Sequence, residues 1–209
     1  MKKITLLLLV FLISIDGYGQ TITDGFGSEI ITWLGLDFTH LKYIDIRNYP
    51  NGEGMTPEDL RTIFFSAWNK LIVDERIKYD VAGAVRRDNI GYNIQFTEKA
   101  NEHAADDFFT NKLTDFKLLT KDSISSLVSK YDFHGKSGIG LMFFVEGMCK
   151  DKLEASMWVT FVDMGKHKVL STKETWGRAG GIGFRNFWAK CFYNVISDLA
   201  SDMKMGRME

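Results

Sequence analysis

A glycine-rich corner near the end of the chain carries the residues best suited to binding chemistry. Gly180, Gly181 and Gly183 precede Arg185 where a long helix is expected to begin. Glycines at a helix start let backbone amides approach an anion, and an arginine can add paired hydrogen bonds to it. With Trp176 as an exposed aromatic beside them, these residues predict a contact for a ligand or partner. The competing interpretation, which we favour, is a sharp corner from strand to helix that needs glycine for positive φ.

The other candidate motifs are incomplete. Residues 135–137 (Gly-Lys-Ser) match the end of a phosphate-binding loop, but its first glycine is missing and a strand is expected to follow. Glu102, His103, Asp106 and Asp107 could be drawn as metal ligands, although one histidine in a polar run is typical of a solvated face. Neither Gly-x-Ser-x-Gly nor His-Glu-x-x-His occurs. We therefore predict no catalytic, cofactor-binding or metal-ligating residue. A pair of carboxylates of the glycosidase type comes from distant positions and has no local sequence motif, so the sequence leaves this possibility open.

Composition and charge limit the classes of function that the protein can have. The chain has 209 residues, of which 45% are hydrophobic and 25% charged, with 2 prolines. These proportions are typical of one globular domain with a substantial core. The 26 basic and 27 acidic residues give a net charge of −1. Such a balance does not favour nucleic acid or an anionic membrane surface as a partner.

The first residues predict export. A short basic start precedes an apolar run over residues 6–15, and residues 17–19 (Gly-Tyr-Gly) supply a small-x-small cleavage site. This is the pattern of a secretory signal peptide, with cleavage expected after Gly19. The run is too short for a good spanning helix, which takes roughly 20 apolar residues. We expect residues 20–209 to form a single periplasmic or secreted domain without a transmembrane segment.

Two cysteines, Cys149 and Cys191, would remain in the exported chain. An oxidising compartment allows them to form one disulfide. Cys191 falls on the apolar face of the last predicted helix, however, where a free cysteine behaves as a small hydrophobe. Both thiols are expected to be structural, whether or not they pair.

Three helices are specified by their start signals and apolar periodicity. Thr56 can cap a helix that has Pro57 at its first position, and Thr120 can cap a second over residues 121–131. A third is expected over residues 184–203. In the first helix the stripe expected to be buried comprises Leu60, Ile63, Phe64, Ala67, Trp68, Leu71 and Ile72. The residues expected on its solvent side are Arg61, Asn69 and Lys70.

About five strands are indicated by β-branched and aromatic runs or by alternation of apolar and polar residues. They cover residues 30–38, 92–97, 139–148, 155–164 and 169–176. Short turns join the last three, which favours antiparallel pairing in a meander. The predicted order β-α-β-α-β-β-β-α gives a single-domain α/β (α+β) sandwich with a mixed sheet and a C-terminal packing helix.

The connection over residues 39–55 is long for a compact domain. Loops of this length are often functional. Its first part, residues 41–44, is expected to prolong the preceding strand or to pack back on it. The connection is therefore a second place, besides the glycine corner, where a ligand could bind.

A hairpin near the end of the chain resembles that of known envelope domains. One strand ends near Asp163, the chain turns at Gly165 and Lys166, and a second strand returns through Val169 and Leu170 before a final helix. This arrangement is similar to small domains in the amino-terminal part of the Tol translocation protein, in curli-secretion lipoproteins and in lipoprotein activators of penicillin-binding proteins. The chain also resembles small exported proteins of Bacteroides-type bacteria. The resemblance implies a non-catalytic α/β module of the cell envelope and assigns no functional residue.

Two hypotheses of function follow. The first is an exported, non-catalytic binding or assembly module whose partner is another envelope protein. The second is a small-ligand or anion-binding protein, or a hydrolase, that uses the corner over residues 180–185 and the connection over residues 39–55. An activity screen and a thermal-shift screen would discriminate between them.

Overall fold

The structure is a computed structural model that describes residues 26–27, 29–45 and 56–208. The predicted signal peptide and residues 46–55 of the long connection lie outside the described residues. No helix among the residues described is long and apolar enough to cross a membrane.

Seven strands form one mixed sheet within the described part of the chain. The strands are β1 (Ile31–Asp37), β2 (Lys42–Ile44), β3 (Gly91–Tyr92), β4 (Phe109–Thr110), β5 (Ile139–Cys149), β6 (Glu154–Asp163) and β7 (Lys168–Arg178). The pairs β1–β3, β1–β5, β2–β4 and β2–β5 are parallel. The pairs β5–β6 and β6–β7 are antiparallel. Strand β5 is buried along its whole length and is the centre of the sheet.

Strands β1 and β2 lie end to end along one edge of β5. Asp37, the last residue of β1, is opposite Phe144, and Lys42, the first of β2, is opposite Gly147. Between them the chain leaves the sheet in a tight turn, in which the Leu41 amide donates to the carbonyl of residue 38 at 3.0 Å. Residues 42–44 therefore prolong the first strand, and the edge of the sheet has a break immediately after Asp37.

Five helices cover the two faces of the sheet in the described ranges. Helix α1 is composite, with segments Pro57–Asp59, a π-helical turn at Leu60–Phe64, and Phe65–Asp74. The others are α2 (Val81–Ala84), α3 (Gln95–Asn101), α4 (Lys121–Lys130) and α5 (Phe184–Lys204), and a 3₁₀ turn spans Leu113–Phe116. Trp33 packs on one face with α1, α2 and α5. Its neighbour Leu34 packs on the other face with Phe96 of α3 and Val128 of α4, because successive strand residues point to opposite faces.

The predicted start of α1 is confirmed, but its buried stripe differs from the prediction. Thr56 and Asp59 form a capping box, in which each side chain accepts a hydrogen bond from the backbone amide of the other. The π-helical turn then adds a residue to one turn and rotates the rest of the helix. As a result, Phe65 is buried while Ile63 is 54% exposed.

The predicted strand over residues 92–97 is wrong beyond Tyr92. The strand Gly91–Tyr92 ends there, and α3 begins at Gln95. Tertiary contacts override the alternating pattern, since Thr97 on α3 is buried and its hydroxyl donates to the carbonyl of Leu34 in β1 at 2.7 Å. The described residues form seven strands where about five were predicted, because residues 42–44 form a separate strand after the turn and β4, which is only two residues long, gives no periodic signal.

The prediction that Asn69 lies on the solvent side of α1 is also wrong, since the residue is buried. Its side chain accepts from the Leu36 amide at 2.7 Å and donates to the Leu36 carbonyl at 3.0 Å. Asn101 accepts from the Phe38 amide at 2.7 Å. The side-chain amides of Asn69 and Asn101 thus take the place of a neighbouring strand at the outer edge of β1, because the buried backbone groups there need hydrogen-bond partners.

The broad α/β class predicted from the sequence is confirmed. The last helix, predicted over residues 184–203, extends over Phe184–Lys204. Cys149 and Cys191 are both buried and free. They lie in different core clusters, so the structure contains no disulfide between them.

Candidate functional site

A cavity of about 370 Å³ opens where the chain leaves the sheet after β1. Such a position is favoured for ligands, because the carboxyl ends of strands in α/β sheets leave crevices where the chain diverges. Strand β1 and its turn contribute one side, α3 the second, and α4 with the residues after it the third. The residues that shape its interior are Asp37, Thr39, Phe96, Ala100, Leu127, Tyr131 and Phe144.

Asp37 places a buried carboxyl group in the cavity wall. The residue is 2% exposed. Its Oδ1 accepts hydrogen bonds from the backbone amide and the hydroxyl of Thr39, at 2.8 and 2.5 Å. Its Oδ2 is also buried and has no hydrogen-bond partner in the described part of the structure. Buried polar atoms without a partner are uncommon in folded proteins and call for an explanation.

The environment of Asp37 disfavours its charge. Burial raises the pKa of the carboxyl group above its ordinary value of 3.8, and the hydrogen bonds from Thr39 offset this in part. Burial also raises the pKa of the Tyr131 phenol well above 10.0, and the adjacent Asp37 raises it further. The phenol lies close enough to favour the Asp37 carboxylate. Its hydroxyl also donates a long hydrogen bond to the Phe96 carbonyl, 3.4 Å away.

Aromatic rings form much of the cavity wall. Tyr131 and Phe144 are nearly perpendicular, with ring centroids 6.3 Å apart. The Phe96 ring lies 5.9 Å from that of His134 at the mouth. Phe96 and Phe144 belong to the buried core on this face of the sheet. The wall is therefore held by core packing, and the cavity does not depend on a ligand to keep its shape.

Charged side chains surround the mouth. Lys99 on α3, Lys130 on α4 and the two histidines His103 and His134 are exposed there. Asp132 is the acidic member of this ring, and its Oδ2 lies 3.1 Å from Nδ1 of His134. Exposed charges of this kind interact weakly through solvent. The mouth therefore carries exposed charges of both signs, which solvent screens.

The backbone of the glycine corner is hydrogen-bonded to the first turn of α5. The Gly180 amide donates to the carbonyl of Phe187 at 3.0 Å, and the Phe187 amide donates to the carbonyl of Gly183 at 2.9 Å. Gly181 and Gly183 have φ values of +111° and +79°, a region that favours glycine. These features are those of a corner between a strand and a helix.

Arg185, the charged residue of that corner, has both backbone and side-chain contacts. Its carbonyl accepts a hydrogen bond from Nε1 of the buried Trp68 at 2.8 Å. Its exposed guanidinium contacts Oδ1 of Asn186 at 3.3 Å. The hypothesis of an anion contact at Gly180, Gly181, Gly183 and Arg185 stays a prediction.

Trp176 lies on β7 and is 54% exposed. Nζ of Lys117 lies 5.2 Å from the centre of its ring and 2.6 Å from Oε1 of Glu174. The cavity beside Trp176, of about 410 Å³, is lined further by Arg178 and Asp198 and not by the glycine corner. The structure therefore does not bring Trp176 and the corner into one site.

Two of the acidic residues considered as metal ligands, Asp106 and Asp107, have other partners. Oδ1 of Asp106 pairs with Arg61 at 2.5 Å, and Oδ2 of Asp107 pairs with Lys42 at 3.3 Å. Nδ1 of His103 lies 3.0 Å from the carbonyl of residue 99. Among the described residues, no three potential ligands are grouped to hold a metal ion.

Sequence reasoning did not identify the Asp37 cavity. It singled out the connection that begins at Thr39, which contributes to the cavity wall. An aspartate at the end of an otherwise apolar strand was the available signal. Tyr131 was predicted to point inward, but nothing in its local sequence pairs it with a residue almost a hundred positions earlier.

No protein-family model matches the chain. A search of curated proteins and a search of solved structures likewise find no match.

Proposed function

We propose that this protein is an exported, non-catalytic binding module of the cell envelope that holds a small, largely apolar ligand in the Asp37 cavity. The observation that carries the proposal is the cavity of about 370 Å³, which is lined by aromatic residues and by one buried carboxyl-bearing residue, Asp37.

The shape and walls of the cavity support ligand binding. A volume of about 370 Å³ lies in the range of small-molecule sites, which are mostly apolar with a few placed polar groups. Phe96, Leu127 and Phe144 provide apolar surface. Binding would bury the apolar part of the ligand.

The non-catalytic part of the proposal rests on the chemistry near the cavity. Covalent catalysis needs a nucleophile with an activating base. The thiols of Cys149 and Cys191 lie in other core clusters, and burial raises the pKa of Cys191 to about 12, which keeps it protonated. Tyr131 likewise keeps its proton at neutral pH.

Export and an envelope partner complete the proposal. Export is supported by the amino-terminal sequence pattern, and the partner by the hairpin at Asp163 and Lys166 that resembles those of envelope domains. In that hairpin Asp163 accepts from the Lys166 amide at 2.9 Å. Expression of the full chain in a Gram-negative host should yield a periplasmic product that begins at Gln20. A cytoplasmic product that retains Met1 would refute export.

A cavity-filling substitution tests the binding site. Ala100→Phe adds a ring at the cavity wall, whereas Ser126→Phe adds the same ring on the exposed side of α4. We expect saturation-transfer NMR with phenylalkyl amines, alcohols and carboxylates to detect binding to the unmodified protein and to Ser126→Phe, but not to Ala100→Phe. Circular dichroism would check that both variants are folded. Undiminished binding to Ala100→Phe would show that the cavity is not the site.

The alternative function, an anion site at the glycine corner, is favoured by the exposed guanidinium of Arg185. If it is correct, phosphate or sulfate should raise the melting temperature of the native chain, and Arg185→Ala and Gly181→Ala should abolish that shift. Lys190→Ala, an exposed cation on the same helix, is the control. Equal shifts in all variants would exclude the corner.

A further inference from the structure

We infer that the ligand of the Asp37 cavity is an organic carboxylate, whose apolar body fills the interior while its carboxylate group stays at the mouth beside Lys99 and Lys130. This inference rests on the proposed function, since it specifies the ligand class of the same cavity. The closing experiment separates the two, because loss of a preference for carboxylates and loss of all binding are different outcomes.

The interior of the cavity is predominantly apolar. Phe96 and Phe144 contribute aromatic rings to its wall. The carboxyl group of Asp37 is engaged by the protein, since its Oδ1 accepts from the Thr39 amide at 2.8 Å and its Oδ2 is buried. A charged end group placed in such an interior would lose its hydration, and burial of an unpaired charge is costly. The polar end of the ligand therefore stays at the mouth, where water reaches it.

Two lysines at the mouth can pair with that polar end. Lys99 lies on α3 and Lys130 is the last residue of α4, so the two cations reach the mouth from different helices. Both are exposed, and neither is paired with an acidic side chain within the described ranges. An anionic end group would give both lysines a counter-charge while it keeps its own contact with solvent.

Asp132, the acidic residue of the mouth, is engaged within its own turn. Its Oδ1 accepts from the His134 amide at 2.8 Å, and its Oδ2 lies 3.1 Å from Nδ1 of the same residue. The mouth thus has two lysines without a counter-charge and one carboxylate that already has hydrogen-bond partners. This balance favours an anionic end group over a cationic one.

An amine is the competing ligand. At the mouth its ammonium group would meet the like charges of Lys99 and Lys130. In the interior its counter-charge would be Asp37, but burial raises the pKa of that carboxyl group and so disfavours the charge. Neither position offers an ammonium group an available anion, which leaves the carboxylate as the better match.

Matched ligands provide the test. Three probes share one phenylpropyl body and differ in the end group: 3-phenylpropionate, 3-phenylpropan-1-ol and 3-phenylpropylamine. Amide NMR titration of the native chain at neutral pH would measure the dissociation constant of each probe. The titrations are run at about 0.1 M and at about 1 M salt, between which the screening length falls from about 10 to about 3 Å.

The carboxylate should bind the native chain at least about threefold more tightly than the alcohol at the lower salt concentration, as expected for pairs with exposed charges. The amine should bind more weakly than the alcohol. At the higher salt concentration the three dissociation constants should approach one another, because the lysines act through solvent.

A double variant locates the effect. Lys99→Gln combined with Lys130→Gln removes both unpaired cations of the mouth and should abolish the preference for the carboxylate. Lys112→Gln combined with Lys121→Gln is the control, because these exposed lysines do not line the cavity and their loss removes the same charge. The control should change the preference by less than about twofold. Ala100→Phe should abolish binding of all three probes.

Three results would each overturn the inference: alcohol binding as tight as carboxylate binding, tightest binding by the amine, or a preference for the carboxylate that survives loss of both mouth lysines. In each case, loss of binding in Ala100→Phe would leave the proposed binding function intact. Failure of all three probes to bind would reject the binding function together with the carboxylate. The comparison of the probes in the native chain remains decisive even if the double variant does not fold.

Discussion

Asp37 and Glu146 are two buried carboxyl groups on neighbouring strands of the same sheet, and they differ in how their oxygens are satisfied. Oε2 of Glu146 accepts from the amides of Leu118 and Leu119 at 3.0 and 2.8 Å, and Oε1 accepts from the hydroxyl of Ser156 at 2.7 Å. Oδ1 of Asp37 has two donors and its Oδ2 has none. Burial raises the pKa of both groups, so burial alone does not separate them.

The difference separates a carboxyl group that joins two distant segments from one that makes its short hydrogen bonds within its own turn. Glu146 lies where the pairing of β5 with β6 shifts register. Its side chain binds the backbone of Leu118 and Leu119, which follow the 3₁₀ turn, and so holds this segment against the sheet. Its hydrogen bonds replace those that the segment would otherwise make with water. Asp37 makes no such link to a distant backbone segment, since its Oδ1 accepts from Thr39 two residues away, and the residue lies in the wall of the cavity.

Glu146→Ala should have the largest effect on stability. It leaves two amides and the Ser156 hydroxyl without their acceptor, and each buried unsatisfied group costs about 1–3 kcal/mol. The free energy of unfolding, measured by urea denaturation, should fall by roughly 3 kcal/mol or more. Glu146→Gln is the control, because its amide can still accept from Leu119 and donate to Ser156. A loss below about 1 kcal/mol for Glu146→Ala would show that water replaces the carboxylate.

Ser156→Ala makes Glu146 more like Asp37. The substitution removes the donor to Oε1 and leaves that oxygen buried without its partner. Unfolding free energy should fall by roughly 1–2 kcal/mol. Thr160→Val is a matched control on β6, since it removes a buried hydroxyl that pairs with Thr172 instead. An unchanged stability for Ser156→Ala would indicate that one open carboxylate oxygen is tolerated here without a functional reason.

Asp37→Asn should act in the opposite direction and stabilise the free protein at neutral pH. Because the folded pKa of Asp37 is raised, its contribution to stability is fully present below the ordinary value of 3.8 and is lost as pH rises through the raised folded value. Asparagine does not ionise, so the melting temperature at pH 7 should rise by about 2–4 °C. The gain should disappear in acid. A variant less stable than the native chain at pH 7 would assign Asp37 a structural role like that of Glu146.

Tyr131→Phe should have the smallest effect. The hydroxyl makes a long hydrogen bond to the Phe96 carbonyl, so its loss should cost less than about 0.5 kcal/mol. The phenol also favours the ionised form of Asp37, and its removal should raise the pKa of that carboxyl further. Carbonyl-carbon NMR titration would measure the change. A lowered pKa would mean that the phenol does not stabilise the carboxylate.

Elements with local signals were predicted well. The caps at Thr56 and Thr120 are present as expected, since a cap depends on residues only three positions apart. The last three strands and the final helix lie within a few residues of their predicted bounds. The buried face of α1 and the identity of residues 92–97 were not predicted, because a π-helical turn and a tertiary contact of Thr97 decided them.

The sequence by itself determined the α/β class, the positions of the capped helices and the long apolar strand β5, because these follow from periodicity and short-range hydrogen bonds. Tertiary structure alone decided the candidate site. Asp37, Phe96 and Tyr131 meet only because α3 and α4 pack beside the break between β1 and β2. A local pattern reports which face of an element is apolar. It does not report which distant side chain will leave a buried oxygen unpaired.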